Sequence, residues 1–348
     1  MDPAKDIGRD APRAGGLTMR RIALISTGGT ISSVDEDPFN LIDYPDTARK
    51  IEAPQILERY PEIAQFAEVL PVPFIAKSST AVGIPEMLAL NELIHALPER
   101  IEGLAGIVVS HGTATLEETA YFLRLVVKLD IPVVVVGAQK PISAFGSDAG
   151  PNLLAAVRAA ASDKVRGLGV LVVLNDEIHA AREVSKTSTY RLQTFRSQEF
   201  GALGSVDGDG VQIYRRSTRK TGPDTEFDVR GRTSLPRVDI VLSYAGADAT
   251  AVDAYRAAGA LGLVSAGLAP GLATPSQRLA LEGAAADGVV VVQSTRAGSG
   301  RVAPRAYLGR HGMVAGDNLS PQKARILLSV ALAHSADTGT IQNWFARY

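Results

Sequence analysis

Two runs of four consecutive valines, at residues 133–136 and 289–292, constrain the fold of this chain more than any other feature. Successive side chains of a strand point to opposite faces, so each run is apolar on both of its faces. That pattern is typical of a strand covered on both sides, and hence of a mainly parallel sheet. Comparable apolar runs occupy residues 22–25, 106–110, 131–136, 169–174, 238–243 and 289–293.

Amphipathic stretches with helical spacing lie between these runs, at residues 85–97, 116–128, 151–161, 249–258, 276–286 and 321–334. The alternation of strand and helix predicts an α/β protein with right-handed crossovers. We expect two domains: a larger N-terminal parallel-sheet α/β domain that carries the catalytic residues, at 19–213, and a smaller C-terminal α/β domain at 236–348. Residues 214–235 are polar and aperiodic, which predicts a linker; a solvated connector is favoured over a polyanion-binding patch.

Composition excludes several classes of protein. The 348 residues hold 36 Lys and Arg against 37 Asp and Glu, which argues against non-specific nucleic-acid binding. The chain has no cysteine, so disulfides, thiol catalysis and cysteine metal sites are ruled out. No apolar run approaches the roughly 18 residues of a membrane helix. Residues 1–18 are predicted to be a disordered tail rather than a signal peptide, which makes a cytoplasmic protein the default expectation.

Two loops at predicted strand ends are rich in hydroxyls and glycines: Ser-Thr-Gly-Gly-Thr-Ile at 26–31 and Ser-His-Gly-Thr-Ala-Thr at 110–115. Ligands bind beyond the carboxyl ends of strands in open α/β sheets, and glycines such as Gly29 and Gly112 let the backbone approach them. The first loop lacks the third glycine of a dinucleotide fingerprint. The second also matches a capping box at residues 115–118. The five histidines lack metal-ligand spacing, so no metal is expected.

The motifs STGGTI (26–31), SHGTATLEETAYFL (110–123), VVVVGAQKP (133–141), SKTSTY (185–190) and SPQKARILL (320–328) resemble those of the bacterial type I/II L-asparaginase (asparaginase–glutaminase) family. The resemblance runs in the same order over nearly the whole chain. It implies an amidohydrolase of small-molecule substrates that needs no cofactor. It also implies a homotetramer whose active sites form at the interface of intimate dimers.

The resemblance implies specific roles. Thr30 matches the acylating nucleophile, and Tyr44 matches a tyrosine that assists it. Thr113 matches a second threonine that works with a lysine, here Lys186. Ser79 matches the serine that holds the substrate carboxylate. These roles suit the chemistry, because a threonine hydroxyl needs a proton acceptor, and lysine can accept a proton only when burial lowers its pKa.

The chain departs from the family where the family binds the α-ammonium group of its substrate. Ala114 replaces an aspartate, Thr80 replaces a glutamine, and Leu272 aligns with an asparagine supplied by the neighbouring subunit. The segment that should carry a cross-subunit glutamate has no acidic residue and four arginines, at 296, 301, 305 and 310.

An ammonium group beside Ala114 and Leu272 would be unpaired, at a cost of several kcal/mol. We therefore hypothesise a substrate without an α-ammonium group: an amide, imide, lactam or lactone that is cleaved through a threonine acyl-enzyme. Two alternatives stay open at this point. One is an L-asparaginase/glutaminase of reduced activity, and the other is a catalytically inactive binding homologue.

Overall fold

The computed structural model describes residues 19–348. The tail expected at residues 1–18 lies outside the described residues. The strands of the N-terminal half are β1 (Arg21–Ser26), β2 (Ser33–Val34), β3 (Arg49–Lys50), β4 (Glu68–Val72), β5 (Leu104–Ser110), β6 (Val133–Val136), β7 (Val170–Leu174), β8 (Glu177–Ala180), β9 (Ser185–Lys186), β10 (Phe195–Arg196), β11 (Gly204–Asp207) and β12 (Gly210–Ile213). Its helices are α1 (Tyr44–Thr47), α2 (Ala53–Arg59), α3 (Ile84–Arg100), α4 (Leu116–Val126) and α5 (Ala149–Ala160).

Eight of these strands form one sheet in the order β12-β11-β8-β7-β6-β5-β1-β4. The neighbouring strands β4, β1, β5, β6 and β7 pair in parallel. Strands β8, β11 and β12 extend the sheet with antiparallel pairing. The valine run in β6 has the predicted double burial. Val133 and Val135 pack with α3 and α4 on one face, while Val134 and Val136 pack with α5 on the other. The predicted mainly parallel sheet is therefore confirmed.

The C-terminal half is a smaller α/β unit. Its elements are β13 (Val238–Leu242), α6 (Thr250–Ala257), β14 (Gly262–Gly267), α7 (Pro275–Ala286), β15 (Val290–Thr295), α8 (Ala306–Arg310), β16 (Val314–Ala315), α9 (Pro321–Leu332) and α10 (Thr338–Arg347). The four strands are parallel in the order β13-β14-β15-β16. Helix α9 packs on β13, β14 and β15 and also on α4 of the N-terminal half, so the two halves share one hydrophobic core.

The segment at 214–235 differs from a solvated connector. Phe227 and Val229 are fully buried, and the Phe227 ring lies 5.0 Å from the Trp344 ring and 5.1 Å from the Tyr348 ring. Periodicity could not reveal this, because two isolated apolar residues in a polar stretch carry no repeat. Part of the segment therefore packs into the core, while the linker at 214–235 and its boundaries at 213/214 and 235/236 stay a prediction.

Candidate active site

The two glycine-rich loops meet at the carboxyl ends of adjacent strands. Strands β1 and β5 pair in parallel with Ser26 opposite Ser110, so the chain leaves both strands at the same sheet edge. Gly29 has φ +79°, and a Cβ atom added to it would lie 2.1 Å from the Gly112 Cα. Only glycine combines that left-handed backbone with so close an approach. The two glycines therefore bring the threonines that follow them, Thr30 and Thr113, to one site.

Thr30 and Tyr44 form the first hydroxyl pair of the site. Thr30 opens a short 3₁₀ turn, Thr30–Ser32, and Tyr44 opens helix α1. The Thr30 Oγ1 and the Tyr44 Oη lie 3.0 Å apart, which is hydrogen-bond distance. The structure thus joins the two residues that the family resemblance had matched only by sequence position.

Thr113 and Lys186 form the second pair. The Lys186 Nζ donates to the Thr113 Oγ1 at 2.8 Å. Burial lowers the pKa of Lys186 from its usual 10.5, and the nearby charge of Glu117 opposes that shift. A lower pKa increases the neutral fraction of the amine at a given pH, and the neutral amine is the form that can accept a proton.

Ser79 is buried against the second loop, and a Cβ atom added to Gly112 would lie 2.7 Å from the Ser79 Oγ. The Thr115 hydroxyl donates to the Ser79 carbonyl at 2.8 Å and does not cap helix α4. The capping-box interpretation of residues 115–118 was therefore wrong, because this hydroxyl links the loop at 110–115 to the turn that carries Ser79 instead. Thr80 is exposed and contacts the Ser78 hydroxyl at 2.9 Å.

Ala114 is exposed on the loop between β5 and α4. Within residues 19–348, the backbone N–H groups of Thr113 and Ala114 donate to no protein acceptor. Leu272 is 43% exposed on the turn after β14, and its backbone bonds only to Leu268 in the part of the chain described. No hydrogen bond of the described chain joins that turn to the loops of Thr30 or Thr113.

The arginines of the C-terminal segment are not grouped at this site. Arg301 pairs with Asp317 at 2.9 Å, and Arg305 donates to the Gly271 carbonyl at 2.9 Å. Arg296 and Arg310 are exposed. Within one chain, the site therefore consists of Thr30, Tyr44, Ser79, Thr113 and Lys186.

His111 supports the second loop, and sequence reasoning had given it no specific role. It is fully buried; its Nδ1 lies 2.8 Å from the Gly112 carbonyl and its Nε2 lies 3.0 Å from the Thr119 hydroxyl. A carbonyl can only accept, so Nδ1 carries the proton and Nε2 accepts from Thr119. Burial lowers the pKa of His111 from 6.5 to about 4, which keeps the ring neutral at pH 7.

We expect His111 to make the protein sensitive to acid. The unfolded chain takes up a proton on this ring near pH 6.5, whereas the folded chain does so only near pH 4. The contribution of the neutral His111 ring to the free energy of unfolding is therefore fully present above pH 6.5. It falls by about 3 kcal/mol as the pH drops to 4. Denaturant unfolding between pH 7 and 4 measures the loss, which should be smaller in His111→Gln. An equal loss in that variant would contradict the assignment.

In the described part of the chain, no three histidine or acidic side chains cluster as metal ligands would. No helix among residues 19–348 is both long and apolar enough to cross a membrane.

Comparison with known proteins places this geometry in a family. The model "Asparaginase, N-terminal" matches residues 21–219, and "Glutaminase/Asparaginase C-terminal domain" matches residues 237–345. The chain belongs to the asparaginase family. It is 38% identical to L-asparaginase 2 of Bacillus subtilis (strain 168), covering 94% of this chain and 86% of that protein. It is 36% identical to L-asparaginase 2 of Escherichia coli (strain K12), covering 95% and 94%.

The asparaginase fold is equally clear from a solved structure. The crystal structure of a probable cytoplasmic L-asparaginase from Campylobacter jejuni superimposes with a TM-score of 0.90 at 34% identity, covering 94% of this chain and all of that one. The chain is accordingly an enzyme of the amidohydrolase class. Glu117 accepts from the Lys186 backbone N–H, and sequence reasoning had given it no role. It lies within the matched SHGTATLEETAYFL motif, but only the folded chain brings it to Lys186.

Proposed function

We propose that this asparaginase-family enzyme hydrolyses an amide, imide, lactam or lactone whose acyl part lacks an α-ammonium group. One observation carries the proposal. Within residues 19–348, no carboxylate hydrogen-bonds to the Thr30, Tyr44 or Thr113 hydroxyl or to the Lys186 Nζ, and the residue after Thr113 is Ala114. A substrate ammonium beside that methyl group would lose its hydration without gaining an ionic partner.

The proposed reaction has two steps. The Thr30 Oγ1 attacks the acyl carbon, and the new C–O bond replaces the bond to the leaving nitrogen or oxygen. The free N–H groups of Thr113 and Ala114 suit the negative charge that develops on the acyl oxygen. Thr113 and Lys186 carry the proton from the attacking hydroxyl to the leaving group. Water then cleaves the ester, which releases the acid and restores Thr30.

Substrate binding in this proposal uses the residues around the two loops. Ser79, with Thr80 beside it, binds the carboxylate or another polar end of the acyl group. The backbones of Gly29 and Gly112 allow the close approach of the acyl group to Thr30. Leu272 completes the site from a neighbouring subunit of a homotetramer built from intimate dimers. We also propose a cytoplasmic location, which is supported by the name of the Campylobacter jejuni protein.

A second candidate is L-asparaginase/glutaminase activity. It is favoured by the names of the relatives, which include L-asparaginase 2 at 38% identity and a glutaminase-asparaginase of Pseudomonas fluorescens biotype A at 34%. Under this alternative, a group from a neighbouring subunit would take the place of the missing aspartate.

Trapping the acyl-enzyme tests the proposed chemistry. The purified protein is mixed with succinamate, simple lactams, cyclic imides, lactones, L-asparagine and L-glutamine, and each reaction is quenched in acid. We expect intact-protein mass spectrometry to detect an acyl adduct that maps to the peptide containing Thr30. The Thr30→Ala variant is the control for non-specific acylation. Turnover without any adduct, or an adduct on another residue, would contradict the nucleophile assignment.

Restoring the missing carboxylate should change the substrate preference. In Ala114→Asp, we expect kcat/KM for L-asparagine to rise about tenfold or more relative to succinamate, because an ionic hydrogen bond contributes about 1.5–3 kcal/mol. Ala114→Asn, which has nearly the same shape but no charge, is the matched control. Equal ratios in wild type and Ala114→Asp would show that this position does not select against the ammonium group.

A further inference from the structure

Lys186 belongs to the candidate active site and also lines a cavity. On one side its Nζ bonds to Thr113. On the other it lines a cavity of about 650 Å³ between the N-terminal and C-terminal halves. The other charged residues that line this cavity are Glu117, Arg182, Glu183, Arg196, Glu199, Arg296 and Lys323. Groups in this cavity can therefore influence Lys186 without contacting a substrate beside Thr30.

Glu117 links Lys186 to this cavity. Its Oε1 accepts from the Lys186 backbone N–H at 3.4 Å, and its Oε2 lies 3.9 Å from the Lys323 Nζ. The Glu117 side chain is 13% exposed and the Lys323 side chain is 2% exposed. Charges this deeply buried are costly unless they are paired. Burial lowers the pKa of Lys323 to about 8, and the negative charge of Glu117 opposes that shift.

Lys323 brings the C-terminal half into contact with the strand that carries Lys186. It stands in the first turn of α9, and its Nζ donates to the Arg182 carbonyl at 3.0 Å and to the Val184 carbonyl. These carbonyls lie four and two residues before Lys186. Lys323 and Glu117 together therefore bind three backbone groups within five consecutive residues, and so fix the position from which Lys186 reaches Thr113.

Most of the other charged groups of the cavity have partners of their own. Arg182 donates to the Tyr348 carbonyl, Glu183 pairs with Arg215, and Glu199 accepts from Asn318. The Arg196 Nε donates to the Gln193 carbonyl, and Arg296 is exposed. Glu117 is thus the carboxylate that acts on Lys186. Its negative charge raises the pKa of Lys186, against the lowering effect of burial.

We propose that Glu117 and Lys323 form a buried charge pair that positions Lys186 for proton exchange with Thr113. This inference rests on the proposed function, in which Lys186 moves the proton. It assigns Glu117 and Lys323 as positioning residues, because neither reaches the reacting hydroxyls. It also makes the C-terminal half of the same chain a determinant of proton transfer in the N-terminal half.

The pH profile of kcat/KM tests the pair. Ammonia release is measured from succinamate or L-asparagine, whichever the wild-type protein hydrolyses faster. Activity should rise with pH as Lys186 loses its proton. Removing the negative charge in Glu117→Gln should lower the pKa of Lys186, so the rising limb should move to lower pH by about 0.5–1 pH unit. We also expect kcat to fall about fivefold or more with KM changed less than about twofold.

Two further variants make the test independent of folding defects. Glu117→Gln/Lys323→Met removes both charges, leaves no buried ion unpaired, and should show the same direction of shift. Glu118→Gln changes the neighbouring carboxylate on the same turn. Burial raises the pKa of Glu118, and the charge of Arg325 opposes that shift. This control should leave the limb in place.

The Lys186→Met variant separates the two levels of the proposal. If it abolishes the limb while Glu117→Gln and the double variant leave the wild-type limb unmoved, the charge pair is overturned and the proposed function survives. If Lys186→Met retains the limb, the role of Lys186 is wrong and the charge-pair proposal fails with it. A shift in both Glu117 variants but not in Glu118→Gln, together with loss of the limb in Lys186→Met, supports the pair.

Discussion

Thr30→Ala is expected to lower kcat/KM for the enzyme's amide substrate by at least about 10³-fold with the fold intact. The hydroxyl that we propose to form the acyl-enzyme would be gone. Tyr44 lies 3.0 Å from that hydroxyl, and in the proposed reaction it assists Thr30 rather than attacking the acyl carbon. Steady-state kinetics with ammonia detection measures the loss, and circular dichroism checks the fold. Thr30→Ser keeps a hydroxyl and should retain measurable turnover.

Thr113→Val extends this test to the second hydroxyl pair. Valine has nearly the same shape as threonine, but it leaves the Lys186 Nζ without the acceptor that it contacts at 2.8 Å. We expect a loss of at least about 10²-fold, the usual size of a proton-transfer contribution. Substantial activity in both Thr30→Ala and Thr113→Val would refute the assignment of the two threonines.

Gly29→Ala is expected to have the largest effect on stability. The added Cβ would lie 2.1 Å from the Gly112 Cα, and alanine would have to adopt φ +79°. Since the Gly112 Cα belongs to the backbone and cannot rotate away, one loop must move, and we expect a loss of about 3 kcal/mol or more together with loss of activity. Thermal and denaturant unfolding measure the first effect.

Gly259→Ala provides a matched control for this substitution. Gly259 has almost the same φ, +80°, but an added Cβ would meet nothing within 4 Å. Its replacement should therefore report backbone strain alone, at about 1 kcal/mol. Equal destabilisation in the two variants would mean that the contact between Gly29 and Gly112 is unimportant.

The parallel core of the fold could be predicted from the sequence because a strand buried on both faces is an uninterrupted run of apolar residues. In β6 and in β15, successive valines pack into different hydrophobic cores on the two faces of the sheet. A continuous apolar run is the pattern that such a division requires. The antiparallel strands β8, β11 and β12 were not predicted, since each is only four residues long and mixes polar and apolar residues.

Within the site, pairings that depend on tertiary structure were beyond sequence reasoning. The Thr115 hydroxyl had two possible partners, its own helix or the Ser79 carbonyl, and only the folded loops decide between them. In the sequence, Glu117 is an ordinary residue of a first helical turn. Its contacts with Lys186 in β9 and Lys323 in α9 exist only in the folded chain. The roles of Thr30, Tyr44 and Lys186 came from the family resemblance, because no spacing rule connects residues so far apart along the chain.

One matched pair of substrates tests the proposed loss of the ammonium site most directly. Succinamate and L-asparagine have the same ω-amide and the same carboxylate, and they differ only in the α-ammonium group. We predict that kcat/KM of the wild-type protein is at least about tenfold higher for succinamate, since an unpaired buried ammonium costs more than about 1.4 kcal/mol. Faster turnover of L-asparagine than of succinamate under the same conditions would contradict it.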